Sequence, residues 1–107
     1  MNAIKLRDNI YWVGAIDWSM RSFHGYDTQR GSSYNAYLII DDTITLIDTV
    51  KHGFEEEMLA RISSVIDPSQ INCVISNHVE PDHSYGVSLI SSLAPSAKIV
   101  TSAPNGL

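Results

Sequence analysis

Four side chains with metal-binding chemistry stand within six residues, in the pattern His78-x-Glu80-x-Asp82-His83. Residues 71–76 before them read as a buried strand, and residues 84–94 after them read as a helix. The cluster therefore falls where a strand hands over to a helix, which is where open α/β layers keep their ligands. In an extended segment, residues two apart point the same way, so His78, Glu80 and Asp82 are expected to share one side. Pro81 supports this, because it disfavours the helical region for the residue before it. His83 is out of phase, so the chain must turn there, with Ser84 as the expected cap of the next helix. Pro81 also excludes a helical His-Glu-x-x-His zinc site.

The donor set speaks about the metal. Imidazole suits zinc, iron, copper and nickel, while carboxylates shift the preference toward harder ions. Two His and two carboxylates resemble a non-haem iron or di-metal site more than a structural zinc site, which would use Cys. The single cysteine, Cys73, lies within an apolar run and cannot form a thiolate cluster. A lone His or Asp is by default a surface polar residue. Four together at one strand exit favour metal binding.

Positioning such a site needs a framework, and 107 residues suffice for one small domain. The 44% hydrophobic and 18% charged content describes a chain that can build a core. A net charge of −5 gives no electrostatic reason to expect nucleic acid or an anionic membrane as partner. There is no basic-then-apolar leader at the N-terminus and no run of membrane-spanning length. A cytoplasmic protein is the simplest expectation.

The order of elements follows from patterning. Residues 3–7 and 10–14 read as a hairpin around Asp8-Asn9. Residues 17–33 read as a long loop containing Trp18, Phe23, His24 and Tyr26, and long loops in compact domains are usually functional or mobile. By residue chemistry alone, His24 is a loop histidine at the surface. Residues 34–40 and 43–50 read as two strands joined by Asp41-Asp42. Asp48, near the end of the second, is either a loop cap or a partner for a metal-bound His. Residues 54–66 form the clearest helix, with Phe54, Met58, Leu59, Ile62, Val65 and Ile66 on one stripe. Glu55, Glu56 and Glu57 crowd its first turn, where the dipole favours negative charge, and read as a solvated face. In the helix over 84–94, Val87, Ile90, Leu93 and Ala94 are expected to face the core, and residues 98–101 form a last strand. Hairpins first and strand–helix alternation later predict an α/β fold, with a mixed sheet and helices on one face.

Several stretches together resemble the flavodiiron proteins, also called A-type flavoproteins or rubredoxin:oxygen oxidoreductases. They are Ile10-Tyr11-Trp12-Val13-Gly14, Phe23-His24-Gly25-Tyr26, Tyr34-Asn35-Ala36-Tyr37-Leu38-Ile39, Thr45-Leu46-Ile47-Asp48-Thr49-Val50, Asn77-His78-Val79-Glu80-Pro81-Asp82-His83-Ser84 and Thr101-Ser102-Ala103-Pro104-Asn105-Gly106. The resemblance implies the N-terminal half of a metallo-β-lactamase-like αββα sandwich over residues 1–107, without the family's flavodoxin-like domain. It implies a diiron centre, with His78 and Glu80 on one iron and Asp82 and His83 on the other. It makes His24 a residue of the pocket. Zinc hydrolases of the wider superfamily usually carry His where Glu80 stands. The chain departs from the family at Ser84-Tyr85-Gly86, where the family more usually has Gly directly after Ser.

The implied function is reduction of dioxygen to water or of nitric oxide to nitrous oxide. Electrons would come from FMN, bound only in a longer relative, and ultimately from a rubredoxin-like donor. The family's later ligands are two further histidines and a bridging aspartate. Without them or an FMN domain, the chain alone is expected to be inactive. Two alternatives belong to other classes. One is a stand-alone metal-binding module that pools its ligands in a homodimer. The other is a zinc-type metallo-hydrolase with a metal-bound water as nucleophile.

Overall fold

The computed structural model describes residues 1–17, 32–77 and 81–101. Strands β1 (Ile4–Arg7) and β2 (Ile10–Trp12) form the expected hairpin, with an irregular register between Lys5 and Arg7. Such an extra residue twists a strand and unsettles its ladder, which suits an edge. β2 pairs antiparallel with β5 (Tyr37–Ile40), and β5 pairs with β6 (Ile44–Ile47) across the Asp41-Asp42 turn. β6, β7 (Cys73–Ser76) and β8 (Lys98–Thr101) then run parallel. Among the described residues the main sheet has the order β1-β2-β5-β6-β7-β8.

Two expected strands end early. The run over 34–40 divides, because Tyr34 closes β4 (Ser32–Tyr34), which pairs with β3 (Ala15–Asp17) in a separate two-stranded sheet. Asn35-Ala36 then carries the chain into β5. The run over 43–50 stops at Ile47 because Asp48 takes a left-handed backbone, φ 64°, which cannot continue a ladder. The expected loop over 17–33 thus starts and finishes in strand, and its interior, His24 included, lies outside the described residues.

The register explains the core. Leu38 pairs with Leu46 and Leu46 with Val74, so three fully buried side chains lie in one row across the sheet. Helix α1 (Glu55–Ser63) brings Met58 and Ile62 into the same core, and helix α2 (Pro81–Leu93) brings Ile90, followed by Ala94. Burying each large aliphatic side chain stabilises the fold by about 1.5–3 kcal/mol. β6, β7 and β8 succeed one another in one direction, so right-handed crossovers place both helices on the same face, and α1 touches α2. On the other face, register aligns Tyr37, Ile47, Ile75 and Val100, all outside the core cluster.

The helices differ from the sequence reading in detail. α1 is bounded by Phe54 as N-cap and by tight turns in which Val65 and Ile66 N–H both donate to the Ile62 carbonyl. Its glutamates are not all solvated. Glu56 is exposed, but the Glu55 and Glu57 side chains are only 16% and 17% exposed. Glu57 pairs with Arg61 at 2.9 Å, and the Arg61 guanidinium lies 4.6 Å from the centre of the Trp12 ring. α2 starts at Pro81, three residues before the expected start, so Ser84 lies within the helix and does not cap it. Proline at a first helical position sacrifices only an N–H that has no intrahelical partner anyway. The buried stripe of this helix is Gly86, Ile90 and, just past it, Ala94, while Leu93 is 39% exposed and outside the core.

Candidate metal centre

β7 is a central parallel strand and ends at Ser76, and α2 begins at Pro81. The candidate ligands span the short connection between them and the first helical turn. His78 and Glu80 lie outside the described residues. Asp82 and His83 are the second and third residues of α2. The expectation that Asp82 continues an extended segment in phase with His78 and Glu80 is therefore corrected. Asp82 has helical backbone, and the chain has turned before it reaches that residue.

The strand exits that frame this connection are held together by Asp48. Its carboxylate is buried, and Oδ1 accepts the Asn77 backbone N–H at 2.7 Å. Oδ2 accepts the Asn77 side-chain amide at 3.3 Å, and the Asp48 N–H donates to the Ile75 carbonyl at 2.7 Å. The residue immediately before His78 is thus fixed by a side chain just past the end of the neighbouring strand. The left-handed backbone of Asp48 makes this reach possible, and Asp is among the residues that tolerate it. Asp48 caps the connection, which is the loop-cap role of the two that the sequence allowed.

The next residue, Thr49, is 1% exposed and packs on α2 at Gly86. Farther along, the His52 ring stacks on Tyr85, centroids 3.9 Å apart and planes 26° from parallel. His52 Nδ1 lies 2.9 Å from Glu55 Oε2, and Glu55 Oε1 accepts the Gly53 N–H at 2.8 Å. Burial would raise the Glu55 carboxyl, but hydrogen bonds from His52 and from the Glu55 and Gly53 backbone outweigh it and hold the pKa below its ordinary value. The sequence reading marks Tyr85 and Gly86 only as a departure from the family pattern and does not single out His52, so the contacts of all three went unread. A glycine inside an apolar helical pattern was the one available signal, since it marks close approach.

The donors available fit iron. Cys73 stands at the far end of β7 from the connection, three residues or about 10 Å away at 3.3 Å per residue. Imidazoles and carboxylates remain, and these suit a non-haem iron site better than a closed structural zinc site.

Residues 32–106 match the model of a protein family described as ODP family beta lactamase. The chain belongs to that family. It is 43% identical over 99 residues to a nitric oxide reductase of Moorella thermoacetica, covering 91% of this chain and 25% of that protein. It is 44% identical over 103 residues to the rubredoxin-oxygen oxidoreductase of Megalodesulfovibrio gigas, covering 95% of this chain and 26% of that protein. Among solved structures, the rubredoxin oxygen:oxidoreductase of Desulfovibrio gigas superposes with a TM-score of 0.79 at 42% identity, covering 92% of this chain and 25% of that one. The flavodiiron protein of Giardia intestinalis does so with a TM-score of 0.77 at 39% identity, covering 92% and 24%. This ODP family chain thus shares the β-lactamase-like fold of flavodiiron proteins, and it spans about a quarter of the length of these relatives.

Proposed function

We propose that this ODP family chain contributes part of the ligand set of a diiron centre in a flavodiiron oxidoreductase. Asp82 and His83 would hold iron together with His78 and Glu80. The observation that supports this reading is that an inner parallel strand ends at Ser76 and the following helix begins at Pro81, with Asp82 and His83 in its first turn. Iron bound there would supply the electron-transfer chemistry needed to reduce dioxygen to water, or nitric oxide to nitrous oxide, the substrates that the relatives' names carry.

This chain's own residues do the positioning. Asp48 fixes Asn77 and so the start of the connection, and α2 fixes Asp82 and His83. Four donors shared by two irons leave each metal under-coordinated, so the complete centre needs ligands from further sequence. The same reading assigns FMN to a longer protein and a rubredoxin-type protein as electron donor, in the cytoplasm. His24 would line the pocket. The partly exposed apolar row Tyr37, Ile47, Ile75 and Val100 would be covered by the rest of the sandwich, and a homodimer belongs to the same reading of the longer protein. No helix among the described residues is long and apolar enough to cross a membrane.

The test is steady-state reduction of oxygen or nitric oxide by the flavin-containing protein that carries this sequence, supplied with a reduced rubredoxin. Turnover that falls at least a hundredfold in Glu80→Gln supports the reading. Turnover unchanged by that substitution, or full turnover by residues 1–107 alone, contradicts it.

A further inference from the structure

We propose that Thr49 and Gly86 form the contact that sets the position of Asp82 and His83, and so act as positioning residues for iron. The inference rests on the function proposed above. Gly86 is buried in α2 against Thr49. A Cβ at Gly86 would stand 2.6 Å from the Thr49 Cβ, 2.8 Å from its Oγ1 and 3.2 Å from its Cγ2. Carbon atoms normally rest at about 3.5–4.0 Å, so any larger residue must push the two elements about 1 Å apart. The closest atom is a Cβ, fixed to the backbone, and no rotamer change moves it away. Thr49 has little room to retreat, because it lies between the anchored Asp48 and the fully buried Val50.

The helix has to move instead. Asp82 is four residues before Gly86 and His83 three, which is one helical turn, about 5.4 Å. A displacement at Gly86 is carried to them almost undiminished along a hydrogen-bonded helix. Asn77 would stay where Asp48 holds it. The connection between would be stretched or skewed by about 1 Å, twice the roughly 0.5 Å within which a functional constellation must be held. Thr49 thus sets the spacing of α2 from β6, and Gly86 is the notch that receives it. Tyr85 is exposed and stacks on His52, while the close approach is made one position later.

Iron(II) affinity of the full-length protein that carries this sequence, measured by competition with a chromophoric chelator, tests this. Gly86→Ala should lose about tenfold to a hundredfold, the range seen when groups that orient metal ligands are removed. Ser88→Ala, on the exposed side of the same helix, should lose none. In the Gly86→Ala background, Thr49→Gly should restore the affinity of Thr49→Gly alone, because it removes the clashing Cβ. Thr49→Ala keeps that atom and should not. A role in folding alone would shift thermal midpoints without this pattern in affinity among the folded variants. Should Gly86→Ala fail to fold, the Thr49→Gly pair carries the test, and its failure to fold or to match Thr49→Gly overturns the inference. Unchanged affinity in Gly86→Ala, or equal rescue by Thr49→Ala and Thr49→Gly, also overturns it. If the unsubstituted flavin-containing protein that carries this sequence takes up no iron, the proposed function itself falls.

Discussion

Replacing Asp48 with Ala removes both acceptors of Asn77 and leaves an alanine with a left-handed backbone. The Asn77 N–H loses a charge-assisted bond of 2.7 Å in a part-buried position. Leaving such a donor without its partner costs about 1–3 kcal/mol. An alanine at φ 64° adds about 1–2 kcal/mol that Asp offsets by its local hydrogen bonds. The sum is about 2–5 kcal/mol, a fall of at least roughly 8 °C in midpoint for a domain of this size. Asp48→Gly removes the same acceptors without the steric cost. Its extra unfolded-state entropy is worth about 0.4–1 kcal/mol, so it should be no less stable than Asp48→Ala. Asp48→Asn keeps one acceptor for the backbone N–H and places an amide against the Asn77 amide, and should lose about 1 kcal/mol. Urea unfolding of the metal-free chain, followed by circular dichroism, measures all three. An Asp48→Ala variant within about 0.5 kcal/mol of the parent, or an alanine variant clearly more stable than the glycine one, would refute the anchoring role.

Three further outcomes follow from contacts away from the connection. Arg61→Ala should destabilise by more than Glu57→Ala, since Arg61 also covers Trp12 and donates to the Asn2 carbonyl, whereas an i,i+4 pair alone gives about 0.3–0.5 kcal/mol; equal losses in urea midpoints would contradict this. Glu55 has its folded pKa below its unfolded one, so its contribution is present above the unfolded value and disappears as pH falls through the folded one. Glu55→Gln should therefore flatten the acid side of the stability profile below pH ~5, and an unchanged slope there would count against the His52–Glu55–Gly53 arrangement. Leu46→Ala empties the middle of the buried row and should lose about 2–5 kcal/mol, which thermal unfolding would detect as loss of most of the native state's margin.

What was legible in the sequence was whatever periodicity and local chemistry determine. The stripe of Met58 and Ile62, the Asp8-Asn9 and Asp41-Asp42 turns and the parallel second half all follow from spacing. The candidate ligands were readable as chemistry, because two imidazoles and two carboxylates seldom crowd into six residues without a use. Boundaries set by tertiary context were not readable. By local preference Pro81 reads as part of an extended segment that runs through Asp82, yet it opens a helix, where its missing N–H costs nothing. Nothing local announces that Asp48 leaves the strand with positive φ, since that conformation is stabilised by Asn77, 29 residues away. The glutamate run looked solvated because the partners of Glu55 and Glu57 were not yet in place. Tyr34 looked continuous with β5 because a change of sheet leaves no mark on an apolar run.

Iron content is the most direct measurement of the central claim that the His78, Glu80, Asp82 and His83 segment holds iron. Glu80→Ala and Glu56→Ala, each loaded anaerobically with iron(II) and desalted, remove one carboxylate apiece, from the connection and from the exposed face of α1. The account predicts that Glu56→Ala retains the iron of the parent and that Glu80→Ala loses most of it. Equal retention in the two variants would contradict it.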